Sequence, residues 1–459
     1  MTTTAGERPS TRFRALQEKT ICGAFQVTAE DYADNVALRT KGDEFSITWK
    51  EYAEKVRVTA GGLAGLGLER GQTMALMLTN RPEFHWVDAA AMHLGATPFS
   101  VYNTYSAEQI EYLVGDAGTR IFVTEQAFLP IIEQVRERCS TLEHVVVVDG
   151  DGSGGTLTLA DLEAKAPEGF DFEATWRAVE PDDVLTLIYT SGTTGPPKGV
   201  QVTHRNMIMC GKSLDGIIEF PEGAKVISYL PMAHIAERNC TQYLPMMFGG
   251  TTTDCPDARR IAEYLVEVRP TWWFSVPRVF EKLKSGLQAS FAAEQDENKK
   301  AAIEWAIGVG MKKVDLEQAG EELPDDLRGE WQKADELVLS KIRAKLGLDE
   351  IIAMNVGAAP TPPDTIRFFH ALGLPLAELW GMSETTGMGT CNRPEHIKIG
   401  TVGPASPGIE LKLAEDGELL VRSDAVMKGY RNAPDKTKEA LDDDGWLHTG
   451  DIAEIDDEG

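Results

Sequence analysis

Residues 189–199 read Tyr-Thr-Ser-Gly-Thr-Thr-Gly-Pro-Pro-Lys-Gly. Within eleven positions stand the hydroxyls of Thr190, Ser191, Thr193 and Thr194, the glycines Gly192 and Gly195, and the ammonium of Lys198. A loop of this kind turns backbone N–H groups inward around phosphate oxygens, while hydroxyls and an ammonium add further donors. It differs from the common P-loop, which needs G-x-x-x-x-G-K-[ST], because Lys198 follows Pro197 and precedes Gly199. A plain Gly/Pro surface loop is the alternative. The full eleven-residue string favours phosphate.

Four more segments carry candidate chemistry. His234, within Tyr229-Leu-Pro-Met-Ala-His-Ile-Ala-Glu-Arg238, follows an apolar strand-like run at 226–230, and ligand sites of open α/β sheets lie past strand ends. It reads either as a structural histidine or as the lining of an acid-binding pocket. Gly357-Ala358-Ala359-Pro360 follows a strand-like run at 351–356. Residues this small let a flat base approach the backbone, and they also suit a tight strand-to-helix turn. Trp380-Gly381-Met382-Ser383-Glu384 sets an aromatic ring, a hydroxyl and a carboxylate close together. A carboxylate beside an anion site is repelled without a metal, and one carboxylate with phosphate oxygens and waters makes an ordinary Mg2+ site. Asp451 ends Gly445-Trp-Leu-His-Thr-Gly-Asp451, where a carboxylate accepts from two hydroxyls at once or simply closes a turn.

Taken in order, these five segments resemble the adenylate-forming superfamily of acyl-CoA synthetases, peptide adenylation domains and luciferases. The resemblance implies that residues 190–195 and Lys198 cradle the phosphates of ATP. It implies that Gly357, Ala358, Ala359 and Pro360 lie along adenine, with Gly357 also beside the acid. Trp380 and Gly381 would pack on adenine where the family often has Tyr-Gly, Ser383 would donate to phosphate, and Asp451 would hold the ribose. Glu384 and Thr190 would hold Mg2+, and His234 would line the acid pocket. Lys198, Glu384 and His234 are the implied catalytic residues. The implied reaction joins a carboxylate to the α-phosphorus of ATP, releases pyrophosphate, and passes the acyl group from acyl-AMP to CoA. Two like charges about 4 Å apart repel by roughly 4 kcal/mol at an effective dielectric near 20, so catalysis is mostly electrostatic positioning.

Within the superfamily, the 229–238 segment, the string Phe274-Ser-Val-Pro-Arg-Val-Phe-Glu-Lys282 and a long helical stretch after it resemble long-chain fatty acyl-CoA synthetases. A fatty acid, ATP and CoA are then the substrates. Arg238 stands where some long-chain relatives carry a tryptophan gate. A ligase that delivers acyl-AMP to a carrier protein, and a non-catalytic nucleotide- or lipid-binding protein, are the competing readings. In the family a smaller C-terminal domain follows the Asp451 region, bringing a catalytic lysine and much of the CoA path. The chain is therefore read as the large N-terminal domain alone, with impaired turnover expected.

The elements that must position these residues alternate apolar strands with amphipathic helices, as in Met74-Ala-Leu-Met-Leu78, a helix opened by Pro82, and a capping box at Ser106 and Gln109. Such β-α-β units predict mostly parallel sheets covered by helices. The expected fold is α/β: one α/β subdomain over 1–180, and a second over 181–399 with the phosphate loop and a helical hairpin insert at 285–345. A small β-barrel-like unit over 400–459 completes it. The insert reads chiefly as a solvated decoration, with a partner or membrane surface as the alternative. With 72 acidic against 45 basic residues the net charge is −27, which argues against a nucleic-acid partner. Six scattered cysteines without a C-x-x-C pair read as reduced thiols of a cytosolic protein. No apolar run is long enough to span a bilayer, and peripheral contact at an inner membrane face stays open.

Overall fold

Four sheets carry the chain in a computed structural model that describes residues 3–4, 12–190 and 195–459. The largest has eight strands. Five of them (Thr73–Met77, Thr97–Ser100, Ile121–Thr124, His144–Val147 and Leu157–Thr158) come from the stretch 73–158. Val184–Thr190 joins this parallel set beside Thr97–Ser100, and Lys198–Thr203 and Gly429–Tyr430 extend it in antiparallel fashion. A second sheet runs Lys225–Ser228, Thr251–Asp254, Val36–Thr40, Ser46–Thr48. A third runs Trp272–Ser275, Ala353–Val356, Leu376–Trp380, Thr390–Cys391. The architecture is the expected α/β with mostly parallel sheets. The sheets do not divide at residue 180, however: the phosphate-loop strands complete the first sheet, and Val36–Thr40 completes the second.

Local chemistry explains the element ends. Thr48, Ser106, Thr158 and Thr203 each accept from the backbone three residues on, while the side chain at that position reaches back. Pro82 opens the helix Pro82–His93, and Gly118, at φ 69°, closes Ala107–Ala117. After residue 400 the chain makes a four-stranded antiparallel sheet, Thr3–Thr4, Glu410–Leu413, Glu418–Arg422, Leu447–Ile452. That sheet is open, so the barrel-like expectation is corrected to a sheet whose strands are too few to close. The helical stretch also differs from a solvated hairpin. Pro277–Ala292, Glu297–Gln318 and Asp325–Ala334 bury Phe280, Ala306, Val309 and Ala334 in one core with Ile366 and Phe369 of the helix Pro363–Ala371. At Gly310 an added Cβ would lie 2.1 Å from the Ala371 carbonyl oxygen, so only glycine permits that helix crossing. Among the described residues no helix is long and apolar enough to cross a membrane. All six cysteines are free thiols.

First and second sheets meet across a buried polar seam. Glu237 Oε1 accepts from Asn80 Nδ2 at 3.2 Å, Ser228 Oγ at 2.9 Å, Tyr229 N at 3.0 Å and Thr241 Oγ1 at 3.0 Å. Burial outweighs those donors and pushes its carboxyl up to about 7. His85 faces Asp254 Oδ1 at 2.9 Å through Nε2 and Gln242 Oε1 at 2.5 Å through Nδ1. Gln242 Nε2 donates to Asp88 Oδ1 at 3.1 Å, which turns its oxygen toward the ring. Burial opposes an imidazolium here, but Asp254, Gln242 and Asp88 outweigh it and raise the His85 pKa.

Both groups bind a proton more tightly folded than unfolded. The contribution of Glu237 is fully present below its ordinary 4.5 and lost as pH rises through about 7; that of His85 is fully present below 6.5 and lost as pH rises through its raised folded value. Buried His93 and His204, which burial lowers to about 4 and about 3, act with the opposite sign, so the parent profile alone does not isolate Glu237. Measured against Glu237→Gln, which keeps an acceptor but cannot titrate, the parent's urea midpoint should lose ground as pH rises from about 5 to about 8. A parent–variant difference that stays constant over this window contradicts the assignment.

Candidate active site

Thr190 and Lys198 face each other across the antiparallel pair that carries the phosphate loop. Ser191, Gly192, Thr193 and Thr194 lie outside the described residues. The return of the loop is exposed at Gly195, and the Tyr112 hydroxyl donates to the Pro197 oxygen at 3.1 Å. Lys198 Nζ lies 4.2 Å from the centroid of the Tyr430 ring. The Tyr430 hydroxyl donates to Glu384 Oε1 at 2.8 Å, so lysine, tyrosine and glutamate form one contact chain. Burial, and then the neighbouring carboxylate, push the phenol well above its ordinary range, so it remains a donor. Glu384 is 6% exposed, sits in the short turn Ser383–Thr385, and has no basic partner among the described residues. That turn packs against Lys198–Thr203, and the Met427 N–H donates to the Glu384 carbonyl at 2.8 Å.

The other predicted residues gather at the carboxyl ends of two neighbouring parallel strands, Ala353–Val356 and Leu376–Trp380. Gly357 is buried, whereas Ala358, Ala359 and Pro360 are exposed, and Ala358 turns the chain at φ 67°. Trp380 Nε1 donates to Asp451 Oδ2 at 2.8 Å, which joins two segments 71 positions apart. Asp451 is otherwise exposed and keeps Oδ1 for another donor. The Trp380 ring lies over Gly389, where an added Cβ would come within 2.4 Å of Cε3. Gly381 and Ser383 are half-buried beside it.

His234 caps the short helix Ile235–Glu237, its Nδ1 accepting from the Ala236 N–H at 3.1 Å. Burial lowers its pKa, so the ring is neutral and carries its proton on Nε2. Asn239 Nδ2, one turn on, donates to the Thr386 carbonyl at 2.5 Å and ties this segment to the Glu384 loop. Arg238 is fully buried, paired with Asp88, and donates to Ser100 Oγ at 2.9 Å and Tyr243 Oη at 2.7 Å. Sequence reasoning missed Tyr430. No local pattern marks it, because its partners lie 46 and 232 positions away.

Donor chemistry decides which metal fits. No group of three or more His, Cys, Asp or Glu among the described residues could hold an ion unaided. The Glu384 carboxylate and the Thr190 hydroxyl offer hard oxygens, and a single carboxylate leaves most positions to phosphate and water, which is how Mg2+ is usually bound.

A family model described as AMP-binding enzyme matches residues 25–431. The chain belongs to the AMP-binding enzyme family. Its match takes in Thr190, Lys198, His234, Trp380, Glu384 and Tyr430, and stops short of Asp451. The fadD11 protein of Mycobacterium tuberculosis is 53% identical over 306 residues, covering 66% of this chain and 54% of that protein. Long-chain-fatty-acid–CoA ligase ACSBG2 of Xenopus laevis is 34% identical over 465 residues, covering 97% of this chain and 62% of that protein. The chain thus spans between 54% and 62% of the length of these relatives. The inhibitor-bound N-terminal domain of FACL13 from Mycobacterium tuberculosis superposes with a TM-score of 0.74 at 24% identity, covering 96% of this chain and 98% of that one. A long-chain-fatty-acid-CoA ligase (FadD1) from Archaeoglobus fulgidus gives a TM-score of 0.76 at 20% identity, covering 100% of this chain and 86% of that one. At these identities the structural likeness is one of fold.

Gly389 supplies a test of how this candidate site is built. Gly389→Ala should cost about 1–3 kcal/mol, because the methyl group displaces either Trp380 or the strand beneath it. Urea unfolding reads the loss. An unchanged midpoint would show that the ring is not packed as described.

Proposed function

We propose that this chain is the ATP- and acyl-binding part of a long-chain fatty-acid–CoA ligase. One observation supports the reading: Lys198, paired with Thr190 across the strands that flank the loop, and Glu384 both contact Tyr430, in a member of the AMP-binding family. The names of its relatives support the choice of acid and thiol. Lys198 and the loop donors at 190–195 neutralise the triphosphate while the substrate carboxylate approaches the α-phosphorus. The P–O bond to pyrophosphate then breaks as the acyl–O–P bond forms. Mg2+, held by Glu384 and Thr190, supplies charge neutralisation when bound. Trp380 packs against adenine, the peptide backbone at 357–360 forms the other wall, Ser383 donates to phosphate, and Asp451 accepts from ribose. His234, neutral with its proton on Nε2, donates toward the substrate carboxyl without adding a second cation. CoA takes the acyl group in the second half-reaction. We further propose a cytoplasmic, non-spanning protein with subdomains near 1–180, 181–399 and 400–459 that lend strands to one another's sheets.

Calorimetric titration of ATP with and without Mg2+ tests the phosphate and metal assignment. Glu384→Ala should remove most of the Mg2+-dependent gain in affinity without weakening metal-free binding, since it also removes a charge that repels phosphate. Retained Mg2+ dependence would defeat the assignment.

Fatty-acid affinity tests the branch. Each methylene taken into an apolar path contributes about 0.8 kcal/mol, about fourfold in Kd, until the path is full. Affinity that is flat from short to long acids, or higher for aryl acids, would overturn the long-chain reading.

A further inference from the structure

Tyr430 lies outside every segment that marks the site in the sequence, yet it touches both of the site's opposite charges. Its ring face carries Lys198 Nζ at 4.2 Å from the centroid, and its hydroxyl donates to Glu384 Oε1 at 2.8 Å. The residue is itself fixed. Its N–H donates to Thr437 Oγ1 at 2.9 Å, it pairs with Val200 across the sheet, and the next residue's N–H donates to the Gly199 carbonyl at 2.8 Å. The ring is 7% exposed.

We propose that Tyr430 is a positioning residue that keeps the Lys198 ammonium and the Glu384 carboxylate from pairing with each other. This rests on the phosphate and metal reading above. A lysine and a glutamate that reach the same aromatic ring would, without it, close into a direct ion pair. The ammonium would then be lost to phosphate and the carboxylate lost to a divalent cation. An aromatic face satisfies the ammonium without neutralising it. A phenol satisfies one carboxylate oxygen and leaves its charge in place. Outer partners of this kind fix the orientation of a metal-binding carboxylate.

The test uses the 459-residue chain with ATP as the probe, titrated in EDTA and then across a Mg2+ series. Tyr430→Phe keeps the ring and removes the hydroxyl. It should raise the Mg2+ concentration for half-maximal effect about tenfold, with metal-free affinity unchanged. Tyr430→Leu removes ring and hydroxyl, so metal-free affinity should fall as well. Adding Glu384→Gln to Tyr430→Leu should raise metal-free affinity by more than Glu384→Gln does beside an intact Tyr430, because only without the ring does the carboxylate capture Lys198. A merely structural defect, or simple relief of repulsion between carboxylate and phosphate, would give the same gain in both backgrounds. An unshifted Mg2+ midpoint in Tyr430→Phe overturns the proposal, and so does a Glu384→Gln gain that is no larger in Tyr430→Leu than beside an intact Tyr430. Glu384→Ala separates the two levels. If it keeps Mg2+ dependence, the metal reading itself fails; if it loses that dependence while Tyr430→Phe is unaffected, only the role of Tyr430 falls.

Discussion

A site that receives an anion and a cation together must hold opposite charges near each other without letting them neutralise. At about 4 Å and an effective dielectric near 20, an ammonium and a carboxylate attract by roughly 4 kcal/mol, enough to collapse an unsupported pair. On the function proposed above, the Lys198–Tyr430–Glu384 chain meets that constraint with one aromatic side chain. Much of the surrounding architecture serves to bring those three together. Lys198 comes on a hairpin strand, Glu384 on a turn past a parallel strand of another sheet, and Tyr430 on a two-residue strand that closes the edge of the first. Loss of registry in any of them would leave a buried carboxylate or an ill-placed ammonium.

Registry across sheets comes from backbone groups more than from side chains. The segment at 425–431 is threaded between the two halves of the site. Thr386 Oγ1 donates to the Ala425 carbonyl at 2.7 Å, Met427 N–H to the Glu384 carbonyl at 2.8 Å and Lys428 N–H to the Gln201 carbonyl at 3.0 Å. The first two bonds tie the Glu384 turn to the segment that leads into Gly429–Tyr430, and the third ties that segment to the strand Lys198–Thr203, which cannot move without breaking a ladder. Arg431 and Asn432 then cap the helix Ala107–Ala117, donating to the Ala117 carbonyl at 2.5 Å and the Asp116 carbonyl at 2.7 Å. That contact ties the far edge of the first sheet back to its helical cover.

What the sequence made legible was local, and what it hid was distant. Ser106 with Gln109 and Pro82 at a first turn were readable because their partners lie within four residues. Buried runs such as Thr73–Met77 and Ala353–Val356 were readable because apolar strands bounded by turn residues need no partner to be noticed. The loop at 189–199, the Trp380–Glu384 turn and Asp451 were readable as motifs. The meeting of Trp380 with Asp451, and of Tyr430 with Lys198, was not, since no periodicity encodes contacts over such separations. Strand exchange was hidden for the same reason: the pairing of Val36–Thr40 with Thr251–Asp254 spans more than two hundred residues. The helical stretch was misjudged as solvated because its sequence is rich in charge, while a narrow stripe with Ala306, Val309, Gly310 and Val314 is buried, enough for its packing.

Arg238 illustrates how the buried seam constrains the acyl-binding side. Some long-chain enzymes of this superfamily carry a swinging tryptophan at the corresponding place, and such motion needs a side chain with little to lose by moving. Here the guanidinium is fully buried against Asp88, Ser100 and Tyr243. Pulling it away would strand the Asp88 carboxylate in the interior at a cost of about 3–5 kcal/mol, the usual penalty for breaking a buried pair. Asp88 also accepts from Gln242, which orients toward His85 and through it Asp254, so the disturbance would propagate along the seam. Arg238 is therefore a fixed strut between the helix Pro82–His93 and the segment that carries His234. Its rigidity holds that histidine's loop in place, and any gating beside His234 has to come from residues that are free to move.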